Sequence, residues 1–402
     1  MNAAVRTDSP AAIRPRVLLH VFPSFGIGGV PVRTVQIANW FGNMYRHQIV
    51  ALDADYECCR RFDDTTGHVR VPFVATRRSL LGRLLAFRRQ MAELAPDLLI
   101  TYNWGAVEMA LANVFPGRRH IHVEDGFGPD EADCQLRRRV LFRRYALART
   151  EKIIVPSRAL YDIAVGTWRI PRGRVQYLPN GIDCRKFYRQ PDQRLLSRIG
   201  IPQGTSVIGT VAALRAEKNL ARLVRAFSRV VARFPAILVI AGDGAERAKL
   251  ESLVRELGLA RSVLFAGHVA QPELLLGAFD LFALSSDTEQ MPYSILEAMA
   301  AGLPIASVNA GDVRQMVCAE NQPFIVARND DALADAMISL LQNARLRRQL
   351  GILNRRRARQ QFDQRQMLDA YQQLFSGRDP SPVTFSPSQA NPSCAELQES
   401  LI

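Results

Sequence analysis

Short apolar runs separated by amphipathic stretches recur almost from end to end of this chain, and no other feature restricts its fold as strongly. A parallel strand buried on both faces reads as a brief apolar run, and parallel neighbours need a crossover, usually a helix, to join them. Expected strands are therefore 17–22, 48–53, 69–74, 97–102, 120–123, 152–156 and 175–178, with helices over 30–40, 80–94 and 135–147 among the intervening stretches. At Leu178-Pro179-Asn180-Gly181-Ile182-Asp183 turn chemistry ends a strand, and the polar segment to about Gln203 reads as a linker. A second set of strands is expected at 206–212, 237–241, 263–266, 281–284, 305–308 and 323–326, and from Asp331 to Phe375 the pattern turns helical. The 402 residues thus divide into two doubly wound α/β halves, each large enough to bury its own core.

Composition narrows the partners. After Gly377 the chain shifts to Ser, Pro, Gln and Asn, which bury too little apolar surface to fold alone, so 377–402 and 1–14 are expected tails. The start MNAAVRTDSPAAIRPR lacks a continuous apolar segment and is not expected to act as a signal peptide. No stretch reaches the roughly 20 apolar residues that cross a bilayer. The six cysteines are scattered, with no C-x-x-C and no zinc spacing, which points to a reducing, cytoplasmic compartment. Lys and Arg outnumber Asp and Glu by 52 to 38, a net charge of +14, so the partner is expected to be acidic. The basic segments carry no nucleic-acid module or stacking aromatic motif, and nucleic acid is set aside. Arg77 to Arg89 and Arg137 to Arg149, Arg143 among them, interleave Arg with Leu and Phe at helical spacing. One face of each can bury while the other shows guanidinium groups to an anionic membrane surface. Arg345 through Arg359 is similarly basic.

In open parallel sheets, ligands bind beyond the carboxyl ends of the strands. The first such loop, Ser24-Phe25-Gly26-Ile27-Gly28-Gly29, lets backbone approach a ligand at a helix N-terminus. It departs from G-x-G-x-x-G and lacks an acidic ribose partner at the usual distance, which counts against a nicotinamide site. In Leu214-Arg215-Ala216-Glu217-Lys218-Asn219, Asn219 is a helix N-cap, which leaves two cations at the positive end of a helix. Cations misplaced in this way suit a diphosphate, with Arg gripping bidentately and Lys acting as a point charge. In the segment from Asp287 to Pro304, Pro292 suits a first helical turn, leaving Glu289 at the helix mouth and Glu297 more than a turn inside. One carboxylate can accept from a sugar's hydroxyls and the other from a ribose.

Taken in order, the Gly28-Gly29 loop, Pro179-Asn180-Gly181-Ile182-Asp183, Arg215 with Lys218, Val239-Ile240-Ala241-Gly242-Asp243-Gly244, and Glu289-x7-Glu297 followed by Ala298-Met299-Ala300-Ala301-Gly302-Leu303-Pro304 resemble glycosyltransferase family 4. The resemblance covers about residues 16 to 375. It implies the GT-B fold: two Rossmann-like domains facing a cleft, with a C-terminal helix crossing back to the first. Residues 15–185 with helix 361–376 would bind the acceptor, and 186–360 the nucleotide sugar. Arg215 and Lys218 would hold the donor diphosphate, Glu297 the ribose and Glu289 the transferred sugar. Gly28 and Gly29 would give the diphosphate and acceptor room, Gly267-His268 would lie near the base, and Gln290, Met291 and Pro292 would complete the donor pocket.

Two departures stand out. Glu289 is followed by Gln290 where the family often has Gly, which reshapes the sugar pocket. Where many relatives place a His before a Gly, this chain reads His122-Val123-Glu124-Asp125-Gly126; register by the glycine puts Asp125 in the histidine's catalytic place, while His122 keeps a competing claim beside Glu124. The resemblance implies a retaining transfer from a UDP- or GDP-linked sugar to a glycan or lipid-linked acceptor, in polysaccharide or lipopolysaccharide synthesis, peripheral on the inner membrane. No Asp-x-Asp is evident near the cations, so no cofactor and no obligatory metal is expected. The competing readings are a nucleotide-sugar epimerase of similar architecture and a non-catalytic nucleotide-sugar-binding protein.

Overall fold

A computed structural model describes residues 14–73, 79–114, 117–127, 131, 135–202 and 204–380. They gather into two compact units, one from residues up to Glu124 with Leu136–Ile154 and Trp168–Val175, the other from Asp125–Gln135, Val155–Thr167 and Gln176 onward.

The first sheet collects β1 (Arg16–Phe22), β2 (Tyr45–Ala51), β3 (His68–Arg70), β4 (Leu98–Tyr102), β5 (His120–Val123), β6 (Lys152–Val155) and β7 (Val175–Tyr177). Helices α1 (Gly29–Phe41), α2 (Leu80–Leu94), α3 (Val107–Ala112), α4 (Arg137–Ala146) and α5 (Arg158–Asp162) lie between them in sequence. The strand order is β3-β2-β1-β4-β5-β6-β7, and β1 pairs in parallel with both β2 and β4. Six of the seven residues of β1 are buried, as a strand covered on both faces requires.

Three expectations need correction here. β2 begins at Tyr45 instead of 48, because His47 turns inward and its Nδ1 meets His20 Nε2 at 3.0 Å. Desolvation pushes the His47 imidazole down to about 4, so its ring is carried neutral in the interior, between exposed Arg46 and buried Gln48. β3 ends at Arg70; Val74, with Arg77 and Arg78 of the basic segment, lies outside the described residues. Arg143 is fully buried and does not belong to the exposed basic face of α4. Its guanidinium lies over the Trp104 ring at 4.6 Å and the Trp168 ring at 5.0 Å, an enclosure that sequence spacing alone does not reveal.

The second sheet holds β8 (Ser206–Val211), β9 (Ala236–Ala241), β10 (Val263–Gly267), β11 (Leu281–Leu284), β12 (Ile305–Val308) and β13 (Ile325–Val326), in the order β10-β9-β8-β11-β12-β13. Its helices are α6 (Cys184–Phe187), α7 (Gln193–Ile199), α8 (Leu220–Val231), α9 (Arg247–Glu256), α10 (Glu273–Leu276), α11 (Tyr293–Ala301), α12 (Val313–Met316), α13 (Asp330–Gln342), α14 (Ala344–Gln361) and α15 (Gln364–Ser376). Apolar side chains of α8, α9 and α13 form one core layer, and those of α6, α10, α11 and α12 another.

The expected linker to Gln203 is instead largely helical. Asp183 and Asp192 cap α6 and α7, and Leu195, Leu196 and Ile199 pack their apolar stripe against the second layer. β13 is shorter than expected because a 3-10 turn over Ala319–Phe324 takes up Pro323. The helical stretch after 330 breaks where Asn343 and Asp363 cap α14 and α15. The last helix, α15, meets residues 181–182, where Gly181 N donates to Met367 Sδ at 3.2 Å. Among the described residues no helix is long and apolar enough to cross a membrane.

Candidate active site

In the second sheet the strand order reverses between β8 and β11, each of which pairs in parallel with the other and with an outer neighbour. Crossovers leave this point in opposite directions, which makes the loops after these two strands the place where an open parallel sheet binds a ligand. Hydrogen bonds stitch the two loops side by side. Ser285 Oγ donates to Lys218 O at 3.0 Å, Asp287 N to Glu217 O at 2.9 Å, and Asn219 Nδ2 to Asp287 Oδ2 at 2.9 Å. Arg222 Nη1 adds bonds to Ser285 O at 2.9 Å and Asp287 Oδ1 at 2.7 Å.

Asn219 caps α8 as expected, its side chain accepting from Arg222 N at 3.2 Å, and so fixes Lys218 at the positive end of that helix. There Lys218 Nζ donates to Glu289 Oε1 at 2.6 Å, and Ser286 Oγ donates to the same oxygen at 2.7 Å. Two motifs 71 residues apart in sequence are thereby one cluster. Arg215 stands apart with a largely exposed side chain, its nearest carboxylate contact Glu217 at 4.0 Å. The glycine-rich turn after β9 is required sterically: Gly242 has φ +143°, and a Cβ there would lie 1.9 Å from Ala212 O. Gly311 covers the other side of the site, since a Cβ on it would lie 2.4 Å from Glu289 O.

Gln290 and Met291 are engaged within the same unit. Ser157 Oγ donates to Gln290 Oε1 at 2.9 Å, and a Cβ on Gly126 would meet Gln290 Cγ at 3.2 Å. The Gln side chain that replaces the family's Gly thus occupies space beside Gly126, next to the partly exposed Asp125. Met291 accepts from Asn180 through both Sδ (3.2 Å) and its carbonyl (3.0 Å), which joins the Pro-Asn-Gly turn to the mouth of α11. Asp312 accepts from Arg158 N at 2.6 Å, and burial pushes its carboxyl up to about 6. Nothing in the sequence separates Ser157, Ser286 or Asp312 from ordinary loop residues.

Glu297 has different neighbours. Half-buried on α11 beyond Pro292, its carboxyl is pushed up to about 8 by loss of water, while the Lys186 charge opposes the rise and that of Glu273 adds to it. Lys186 Nζ lies 3.1 Å from Glu273 Oε1, and Glu273 is buried. After β10, Gly267 O accepts from Gly242 N at 2.7 Å and His268 is exposed.

In the first unit, Gly28 and Gly29 open α1, with no acidic residue in the first turn. A side chain on Gly28 would meet only Pro31 Cδ at 3.9 Å, and one on Gly26 would meet only the movable ends of the Asp55 and Ser24 side chains, the nearest Asp55 Oδ2 at 2.4 Å. His122 and Glu124 are fully buried. His122 Nδ1 pairs with Thr101 Oγ1 at 2.8 Å and Nε2 lies 3.5 Å from Glu124 Oε2, which Arg143 Nε approaches at 3.8 Å. Among the described residues, no group of three or more His, Cys, Asp or Glu is arranged to hold a metal ion.

A family model described as Glycosyltransferase Family 4 matches residues 27–186, and one described as Glycosyl transferases group 1 matches residues 192–357. The chain belongs to glycosyltransferase family 4. It is 27% identical over 206 residues to N-acetyl-alpha-D-glucosaminyl L-malate synthase of Bacillus anthracis, covering 51% of this chain and 54% of that one. With the alpha-monoglucosyldiacylglycerol synthase of Acholeplasma laidlawii the figures are 28% over 211 residues, 50% and 51%. The matches thus span about half the length of these curated relatives. Anabaena HepE, solved in complex with UDP-glucose, superposes with a TM-score of 0.77 at 19% identity, over 90% of this chain and 99% of the other. The two parallel sheets of this family 4 chain therefore have the GT-B fold.

Proposed function

We propose that the chain is a retaining glycosyltransferase that moves a sugar from a UDP- or GDP-linked donor to a glycan or lipid-linked acceptor, in the building of cell-surface polysaccharide or lipopolysaccharide. The observation that carries this reading is the Lys218–Glu289 pair at the β8/β11 reversal point, at the N-terminus of α8. Cleaving a sugar–diphosphate bond leaves negative charge on the departing nucleotide, and preplaced cations stabilise it without reorganising during the step. On this reading the donor phosphates take over Lys218, and the exposed Arg215 folds onto them bidentately. Glu289, released from Lys218, accepts from the transferred sugar's hydroxyls, and Glu297 accepts from the ribose. The stabilising charge comes from these side chains, with no resident metal assigned a part. Asp125, beside Gly126 and Gln290, is proposed to face the reacting sugar.

For the acceptor, the first unit offers faces that mix Arg with apolar side chains. Leu81 of α2 is 67% exposed, and Tyr145, in the last turn of α4, is 73% exposed on a helix whose first turn carries exposed Arg137 and Arg138. Such faces favour a peripheral place on the cytoplasmic side of an anionic membrane. The HepE complex with UDP-glucose and the lipid product named for the Acholeplasma relative support the donor class and the acceptor class respectively.

The test is a thermal-shift panel of UDP, GDP and ADP sugars, followed by product analysis with the stabilising donor. Stabilisation by one nucleotide class with acceptor-dependent transfer is expected. Conversion of the donor alone into an isomer would show an epimerase, and tight binding without hydrolysis or transfer a non-catalytic binder.

A further inference from the structure

Helix α14 carries more positive charge than its packing uses. Two of its arginines have structural tasks: Arg347 Nη1 donates to Leu340 O and Leu341 O, while Arg357 donates to Met316 O and Gln315 O. Four others, Arg348, Arg355, Arg356 and Arg359, recur at spacings that bring them to one side of the helix. With Tyr188 and Ile352 they line a depression of about 770 Å³. Among the described residues none of the four has an ion-pair or hydrogen-bond partner. Arg355 lies flat over the Tyr188 ring at 3.4 Å, with its Nε enclosed and unbonded. One carboxylate, Asp363, also lines the rim: its Oδ1 accepts from Arg365 N at 2.9 Å in capping α15, and its single charge stands against the four of the guanidinium groups.

Arg355 packs on Tyr188, but the exposed Arg348, Arg356 and Arg359 carry charge that no carboxylate among the described residues pairs with, and an anion is the complementary component. The kind of anion is indicated by the apolar member. Ile352 is 69% exposed and sits one to two turns from each of the four arginines. A soluble phosphate would use the charges and leave that side chain in water, whereas a phospholipid engages both, the headgroup with the guanidinium groups and the first acyl carbons with Ile352 and Tyr188. We propose that this depression is a binding site for the phosphate headgroup of an anionic phospholipid. It lies in the second unit, shares no residue with the Lys218–Glu289 cluster or with the first-unit faces, and does not depend on the sugar-transfer reading.

The test uses the full chain in co-sedimentation at low salt with phosphatidylglycerol/phosphatidylcholine vesicles and with pure phosphatidylcholine vesicles. The wild type is expected to bind only the anionic vesicles. Each guanidinium near such a surface strengthens binding roughly fivefold, so the exposed triple variant Arg348→Gln/Arg356→Gln/Arg359→Gln should weaken it on the order of 100-fold. Ile352→Ser, which leaves the charge unchanged, should weaken it severalfold. Melting temperature and donor-dependent stabilisation should stay unchanged in both. Should the triple variant melt early, Arg356→Gln and Arg359→Gln singly, each expected to weaken binding roughly fivefold, carry the same test. No binding by the wild type, or a triple variant that binds like it while Arg137→Gln/Arg138→Gln does not, overturns the proposal. So does a site that inorganic pyrophosphate stabilises through these arginines while Ile352→Ser has no effect on vesicle binding, the mark of a soluble-phosphate site.

Discussion

At the scale of single residues, the arrangement turns on which partner each charge has before substrate arrives. Lys218 is held by Glu289 at 2.6 Å, so each can be released to a substrate group without either being left alone in a desolvated place. Replacing Lys218 with Ala removes the cation aimed at the leaving diphosphate and is expected to lower turnover on the order of 10²-fold, by analogy with losing one oxyanion donor. Steady-state kinetics on a variant of unchanged melting temperature checks this; a normal kcat removes Lys218 from the reaction. Glu297 behaves differently. Its folded carboxyl is raised to about 8, so between the usual unfolded value near 4.5 and about 8 the folded state holds a proton that the unfolded chain has released. The stability associated with that proton is fully present below about 4.5 and is lost as pH rises through about 8. Glu297→Gln imitates the protonated form, and should therefore raise the melting temperature relative to wild type at pH 9 but not at pH 4. Equal melting-temperature differences at both pH values would contradict this. The positions of Lys218, Glu289 and Glu297 are legible in the sequence from the Asn219 cap and the Pro292 helix start, while the roles proposed for them come from the resemblance. Lys186 and Glu273 are not, since their significance arises only when α6 and α10 pack around α11.

Among the elements, those read correctly are the ones whose local pattern and tertiary role agree. β11 falls on the expected residues because an uninterrupted apolar run bounded by turns has one use in a covered parallel sheet, and β12 and β5 are still legible although they bury Ser307 and the pair His120 and His122. α2 starts where Ser79 caps it, the side chain accepting from Gly82 N at 3.2 Å. Elements misread are those in which a polar residue is carried inside by a distant partner. His47 extends β2 because His20 awaits it 27 residues away, and Arg143 is drawn into α4's buried face by Trp104, Trp168 and Glu124. α7 was hidden by the polar residues around a short Leu-Leu stripe. The same logic identifies a fragile joint. Buried Asn354 of α14 accepts from Cys318 N at 3.0 Å and donates to Leu303 O at 3.0 Å and Asn321 Oδ1 at 2.8 Å. Asn321 in turn holds both backbone groups of Ile305 at the start of β12. Asn354→Leu strands a buried N–H and a buried C=O together, and is expected to cost about 3 kcal/mol. Urea unfolding should show a lower midpoint at constant slope, and a loss below about 1 kcal/mol would mean that water or a shifted helix satisfies those groups.

For the whole molecule, the organisation that matters is that each sheet has its own core and its own reversal point, β1/β4 in the first unit and β8/β11 in the second. A ligand that engages one unit stabilises that unit's folded state and is felt elsewhere only through coupling between them. If the donor site is the Lys218–Glu289 cluster, UDP or GDP should protect amides of the second unit selectively in hydrogen exchange. The loops after β8 and β11 should slow first, followed by slow-exchanging amides of β8, β9 and β11. At a ligand concentration about 100 times Kd, amides that exchange through unfolding of that unit should slow about 100-fold, equivalent to about 2.7 kcal/mol, with little change in β1, β2 and β4. Lys218→Ala should collapse this protection without altering exchange in the unliganded chain. Protection confined instead to residues 24–29 and the start of α1 would transfer the nucleotide to the first unit. In that case Lys218 and Glu289 would be an ordinary ion pair binding two loops, and the Gly28-Gly29 turn, with the orphan amides of its helix, would have to carry the phosphate recognition.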